Sequence, residues 1–252
     1  MPFRPDSQSP IDIGAWLVGG KNRPMSRPLT GISSMATRLV LGELADAYAA
    51  KSGRSVAIES VGGVDAARRV MAGEAFDVVM LASDAIDKLI QGGHVRPGRV
   101  DLVRSPVAIA VRAGARAPKV DTEDALRDAV ARARSVAYST GPSGTHLVSL
   151  FDRWGLTDQV KAKTVQAPPG VPVGRLVAQG EAELGFQQLS ELMHLDGIAL
   201  LGTLPPGTEF ITTFSAAIGR DTDQAGAVRE LLAYLTSADA AASKRRHGME
   251  PA

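Results

Sequence analysis

From residue 29 onward, short apolar runs alternate with stretches whose apolar residues recur every three or four positions. RPLTGISS reads as a strand and a turn, and ATRLVLGELADAYAAKSG carries Leu39, Leu41, Leu44, Ala45 and Tyr48 at helical spacing before Gly53. SVAIESVGG, DAARRVMAGE, FDVVMLAS and DAIDKLIQGG repeat the alternation of strand and helix. Three such units in succession predict a parallel sheet wrapped by helices. A long strand follows at 105–112. A second set of units comes next: the helix TEDALRDAVARA, the strand SVAYST, a helix beginning near Thr145, the strand KTVQAPP, the helix VPVGRLVAQGE and the strand AELGFQQ. A second long strand at 209–219 closes the set, and AGAVRELLAYLTSADAAASKRRHG supplies terminal helices. Two long strands bracketing the second set predict an α/β protein of two lobes, each a mostly parallel sheet flanked by helices. The expected division is a disordered extension over 1–27, the first part of lobe one over 28–104, lobe two over 105–212 and the return to lobe one over 213–252.

Ligands of open parallel sheets bind beyond the carboxyl ends of the strands. Those ends fall at 31–34, 60–63, 82–84, 139–145, 168–173 and 186–190, where hydroxyls, glycines and amides prevail and charges are few. Such a lining suits a small anion held by neutral dipoles at helix N-termini, although any one of these turns also reads as an ordinary strand-to-helix cap. The candidate ligand contacts are Ser33, Ser34, Gly62, Gly63, Ser139, Thr140, Ser143, Gly144, Thr145, Gly170, Val171, Gln187 and Gln188. The candidate acid–base groups are His146, Glu191 and Asp84. Against that reading, His146 equally suits a surface position, and the two acids equally suit caps or a solvated face. Arg38, Arg68 and Arg175 could grip carboxylates, but each lies within a helix, where exposure is the default.

Charge and composition narrow the partners. Lys and Arg number 28 against 27 Asp and Glu, with no long basic block, so no nucleic acid is expected. The absence of cysteine excludes disulfides, thiolate metal sites and Cys nucleophiles. His94 and His247 lack metal-ligand spacing, so neither a metal nor another cofactor is expected. Residues 1–27 carry acids and prolines around a brief apolar segment. They lack the pattern of a secretory signal, and no segment is long enough to span a bilayer, which predicts a cytoplasmic protein without membrane insertion.

The segments GISSMATRLVLGELADAYAAKSG, AARRVMAGEAFDVVMLASDAIDKLIQGGHV and VAQGEAELGFQQ resemble the molybdate-binding branch of the type II periplasmic-binding-protein fold, over about residues 29–248. The resemblance implies two lobes joined by two crossing strands and closing on an oxyanion. Ser34 matches the branch's first serine. Its second serine turn is here SVGGVD, with Gly62 and Gly63 in place of hydroxyls, and its tyrosine position falls on Gln188. LVAQGEAELGFQQLSEL, YSTGPSG and the LPP…TTFSA return resemble the bacterial aconitate isomerases of the same fold. That resemblance implies an isomerase or tautomerase that moves an allylic proton on a small unsaturated di- or tricarboxylate. It calls for carboxylate-binding N–H and hydroxyl groups and a base. The bare turns at Gly62 and Gly63 suit a ligand larger than molybdate. The alternatives are a solute-binding component delivering molybdate or another oxyanion or carboxylate to an ABC permease, and a ligand sensor.

Overall fold

Apolar residues with period two and with period 3.6 alternate along the chain, and the computed structural model, which describes residues 27–252, turns them into ten strands and ten α-helices. The extension expected over 1–27 lies outside the described residues except for Arg27. Three β/α units come first: β1 (Leu29–Ser34), α1 (Arg38–Ser52), β2 (Val56–Val61), α2 (Gly63–Met71), β3 (Val78–Ala82) and α3 (Ser83–Gln91). A single 3-10 turn, Met35–Thr37, leads into α1. Then follow β4 (Val100–Arg112), α4 (Glu123–Arg132), β5 (Val136–Tyr138), α5 (Pro142–Arg153), α6 (Thr157–Lys161), β6 (Thr164–Gln166), α7 (Val173–Gln179), β7 (Leu184–Gln188) and α8 (Leu189–Leu192). The chain ends with β8 (Ile198–Thr203), β9 (Ile211–Ile218), α9 (Ala225–Leu235), α10 (Ala241–Arg246) and β10 (Glu250–Pro251). Among the described residues no helix is long and apolar enough to cross a membrane.

The strands follow the order β2-β1-β3-β9-β4-β7-β5-β6, with β8 and β10 also pairing β4. Within each lobe the strands that precede helices are parallel: β2, β1 and β3 in one, β7, β5 and β6 in the other. β4 begins at Val100, five residues before the expected 105, and belongs to both lobes. Its first part pairs with β9 as far as Pro106↔Ile211, and its second part pairs with β7 from Val107↔Gln188. Pro106 has no N–H to donate and sits where β4 leaves one sheet for the other. The return crossing runs alongside, Val107 donating to the Phe210 carbonyl (3.0 Å) and Leu204 to the Val107 carbonyl (3.1 Å).

Each lobe has its own core. In the first, Leu29, Val78, Met80 and Phe214 pack against α1 and α9, while Ile32, Val79 and Leu81 pack against α2 and α3 on the other face. In the second, Ile109, Val136 and Phe186 pack against α4 and α5, while Ala137 packs against Val173 and Val177 of α7. Sheets covered on both faces explain why the parallel strands read as unbroken apolar runs. The lobes also touch at α8, where Ser190 Oγ donates to the Ala36 carbonyl (2.9 Å). Just beyond α8, His194 Nε2 lies 3.2 Å from Nδ1 of His247, which follows α10.

A buried carboxylate fastens the start of the first sheet. Asp77 accepts from the Thr30 N–H (2.8 Å), from the Thr30 and Thr222 hydroxyls and from Arg27 (3.0 Å). Burial alone would raise its pKa, but these hydrogen bonds outweigh it and hold the group at about 2.

Candidate functional site

The carboxyl ends of the parallel strands in both lobes face one another across a cleft of about 790 Å³. From the first lobe, Ser34 at the end of β1, Gly62 and Gly63 at the start of α2 and Asp84 at the start of α3 line it. From the second come Ser139, Thr140, Ser143, Thr145 and His146 around the start of α5, and Gly170 and Val171 before α7. Gln187 and Gln188 of β7 and Glu191 of α8 complete that wall. Strand ends thus bring eleven of the thirteen candidate ligand contacts, and all three acid–base candidates, to one place.

Ser33 and Gly144 are the two that do not line the cleft. Successive side chains of a strand point to opposite faces, so while Ser34 lines the cleft, Ser33 is turned away and bonds the Ser60 hydroxyl (2.8 Å). At Gly144 a Cβ would lie 1.8 Å from the Ser139 carbonyl oxygen. The glycine lets α5 pack tightly against the turn.

Charge in the cleft is sparse. Arg38, Arg68 and Arg175 are exposed and lie outside its lining. Asp84 sits at the rim, its side chain 66% exposed and 3.8 Å from Lys88, in the solvated arrangement of an i,i+4 pair. An anion here is therefore met by hydroxyls and by the N-termini of α2, α3 and α5, whose unpaired N–H groups carry partial positive charge. Two buried polar atoms of the lining, Ser34 Oγ and Gln188 Oε1, have no hydrogen-bond partner among the described residues. Buried polar groups rarely go unpaired, and both atoms belong to side chains of the cleft lining. Gln188 Nε2 donates to Thr212 Oγ1 (2.6 Å). That hydroxyl donates as well as it accepts, so the amide can turn either its oxygen or its NH₂ toward the ligand. Ser34→Ala is expected to weaken ligand binding about tenfold, the loss of one hydrogen bond to an anion, as isothermal calorimetry would measure.

His146 and Glu191 are held differently. His146 Nε2 lies 3.0 Å from the Thr208 carbonyl, and its ring stacks on Phe210 with centroids 4.4 Å apart. A carbonyl only accepts, so Nε2 carries a proton and donates it to Thr208. Glu191 receives the Gln187 Nε2–H on one oxygen (2.8 Å). Burial pushes its pKa up to about 7, and the Gln187 hydrogen bond, acting the other way, only partly offsets this.

Sequence reasoning missed the residues that the return crossing and the 3-10 turn bring to the cleft, among them Met35, Phe210, Thr212 and Phe214. The signal available was topological: a segment that crosses between lobes must border whatever lies between them. Val64, Met71 and Ile211 add apolar side chains, each more than half exposed, to the cleft lining.

Residues 29–250 match the family of bacterial extracellular solute-binding proteins. The chain belongs to this family. One relative, the aconitate isomerase of a Pseudomonas species, is 37% identical over 251 residues, spanning 96% of this chain and 95% of that protein. Solved structures share this two-lobed fold. The periplasmic molybdate-binding protein of Azotobacter vinelandii has a TM-score of 0.70 at 21% identity, covering 88% of this chain and 98% of that one. A sulfate-binding protein of Mycobacterium tuberculosis has a TM-score of 0.72 at 17% identity, covering 89% and 86%. Both branches that the sequence motifs resemble are thus represented among the proteins this chain is similar to. At these identities the two structures speak for the fold alone.

Proposed function

We propose that this protein binds a small unsaturated di- or tricarboxylate in its cleft and moves a proton along the ligand's allylic system. The observation that carries the reading is Glu191, a carboxyl group in the wall of the cleft with a pKa of about 7. A general base works best with a pKa near the working pH, and Glu191 has one oxygen held by the Gln187 amide and no ion-pair partner among the described residues. In the reaction, the Glu191 carboxylate takes a proton from the CH₂ beside the double bond. The electron pair of that C–H bond becomes delocalised over the allylic carbons and the conjugated carboxylate. The double bond then re-forms one position along, and Glu191 returns the proton to the carbon at the far end. Substrate and product are isomers, so no oxidant, reductant or other reactant is consumed. Hydroxyls and helix N-termini stabilise the charge that gathers on the substrate carboxylate, and the apolar residues of the lining help exclude water when the lobes close.

The aconitate isomerase relative supports this reading by name and by identity over nearly the whole chain. A second reading, a receptor for an oxyanion or carboxylate, is favoured by the hydroxyls and helix N-termini and by fold neighbours named for molybdate and sulfate. A thermal-shift series with cis-aconitate, trans-aconitate, smaller dicarboxylates, molybdate and sulfate separates the two, because a ligand raises the melting temperature by mass action. The isomerase reading expects the largest shift from an unsaturated polycarboxylate; a shift with molybdate or sulfate alone supports the receptor. The reading also fixes the pH dependence. Glu191 acts as a base only when ionised, so kcat/KM for the isomerisation should rise with pH through about 7.

A further inference from the structure

We infer that Gln187 is a positioning residue, one that holds and tunes the Glu191 carboxyl from the start of α7. The inference rests on the reading of Glu191 as the base. Gln187 is 3% exposed, and its amide bridges two elements. Its Oε1 accepts from the backbone N–H of Val173, the first residue of α7 (2.8 Å), and its Nε2 donates to Glu191 Oε1 (2.8 Å). A backbone N–H only donates, so the Gln187 oxygen must face Val173, and the planar amide then has to present its NH₂ to the carboxyl. Unlike the amide of Gln188, this one cannot turn over.

Three consequences follow from that geometry. One oxygen of Glu191 is engaged, leaving the other free for the cleft. The carboxyl is tied to the segment 168–172 just before Val173, which itself lines the cleft, so any shift of that segment on ligand binding is passed to the base. A donor held against the carboxyl also favours its ionised form and opposes burial. The other titratable groups of the cleft are Asp84 and Lys88 on α3 and His146 on α5, and none is hydrogen-bonded to Glu191 among the described residues. Of the elements packed on α8, the 3-10 turn meets it through Ala36 and β4 through Ala108 and Ala110, none of them charged, and Arg175 of α7 is exposed and lies outside the cleft lining. Gln187 is accordingly the side chain that keeps Glu191 ionisable near neutrality.

Two variants test this. Gln187→Met removes both hydrogen bonds, whereas Gln187→Glu keeps an acceptor for the Val173 N–H and replaces the donor with a second carboxyl that must share a proton with Glu191. Melting temperatures show which variants are folded, and Gln187→Glu keeps the test alive if Gln187→Met is not. The first readout needs no substrate. It is the infrared band of the protonated Glu191 carboxyl, assigned by its loss in Glu191→Gln and followed against pH. The midpoint should move up by about one pH unit in Gln187→Met, as loss of a charge-assisted hydrogen bond dictates, and at least as far in Gln187→Glu. The second readout is the pH profile of isomerisation, whose acid limb should move with the band, so that kcat falls about fivefold at pH 7 and recovers at pH 9 with KM changed less than about threefold. An unmoved infrared midpoint in a folded variant, or a rate lowered equally at every pH, overturns the proposal. A midpoint that moves in a protein that isomerises nothing upholds the role of Gln187 and instead defeats the reading of Glu191 as a base.

Discussion

Glu191→Gln lowers kcat for the proton shift by about 10³-fold, within the range that one general base contributes, and changes ligand affinity by less than about threefold. Glutamine keeps the shape and can still accept from Gln187 Nε2, but it cannot take a proton from carbon. Stopped assays of isomer conversion give the rate, and calorimetry gives the affinity. The same substitution is expected to stabilise the protein at alkaline pH. Glu191 has a pKa raised to about 7 by burial, against about 4.5 in the unfolded chain. The folded state therefore holds a proton between those values that the unfolded state has released. Stability is full below about 4.5, declines as pH rises to about 7 and is level above it. Allowing for the part of the carboxyl that water reaches, the loss is about 2 kcal/mol. Urea melts at pH 5 and pH 8 should show that loss in the wild type and not in Glu191→Gln. A residue kept at a cost in stability is what a catalytic role predicts.

Asp77→Ala is the second large effect, a loss of about 3 kcal/mol in urea or thermal melts. It strips the Thr30 N–H, the Thr30 and Thr222 hydroxyls and Arg27 of their shared acceptor at the start of the first sheet. The pH dependence has the opposite sign to that of Glu191. With a folded pKa of about 2 and an unfolded value near 3.8, the unfolded state binds a proton first as the solution is acidified. The stabilisation is complete above about 3.8 and is lost as pH falls through about 2, amounting to about 2 kcal/mol. A variant whose acid melting curve matched the wild type would show that Asp77 is not the group responsible. Asp77 lies away from the cleft lining, so its loss should leave kcat of the folded protein unchanged.

The repeated units were legible because a parallel strand covered on both faces is an apolar run and its helix has period 3.6. The turns at their carboxyl ends then gave most of the cleft. β8 escaped because IALLGT has no alternation to mark it and four of its six residues are exposed. β10 is two residues long, and α6 is a helix of five. Phe210, Thr212 and Phe214 escaped because the rule of strand ends does not see a segment arriving from the other lobe. Ser33 and Gly144 fall outside the lining because strand alternation and the close approach of Ser139, which place them, do not show in a list of hydroxyls and glycines. Glu191 was visible as a candidate but not its acidity. Burial is what shifts it, and the burial comes from packing that includes the contact between Ser190 and Ala36, 154 residues apart in sequence.

The most direct test is a proton NMR time course of the wild-type protein and Glu191→Gln with cis-aconitate in D₂O. The account predicts that the wild type converts the ligand to its trans isomer while Glu191→Gln, still binding it, leaves it unchanged. Saturable binding by the wild type with no change in the ligand's spectrum over hours would contradict it and favour the receptor reading.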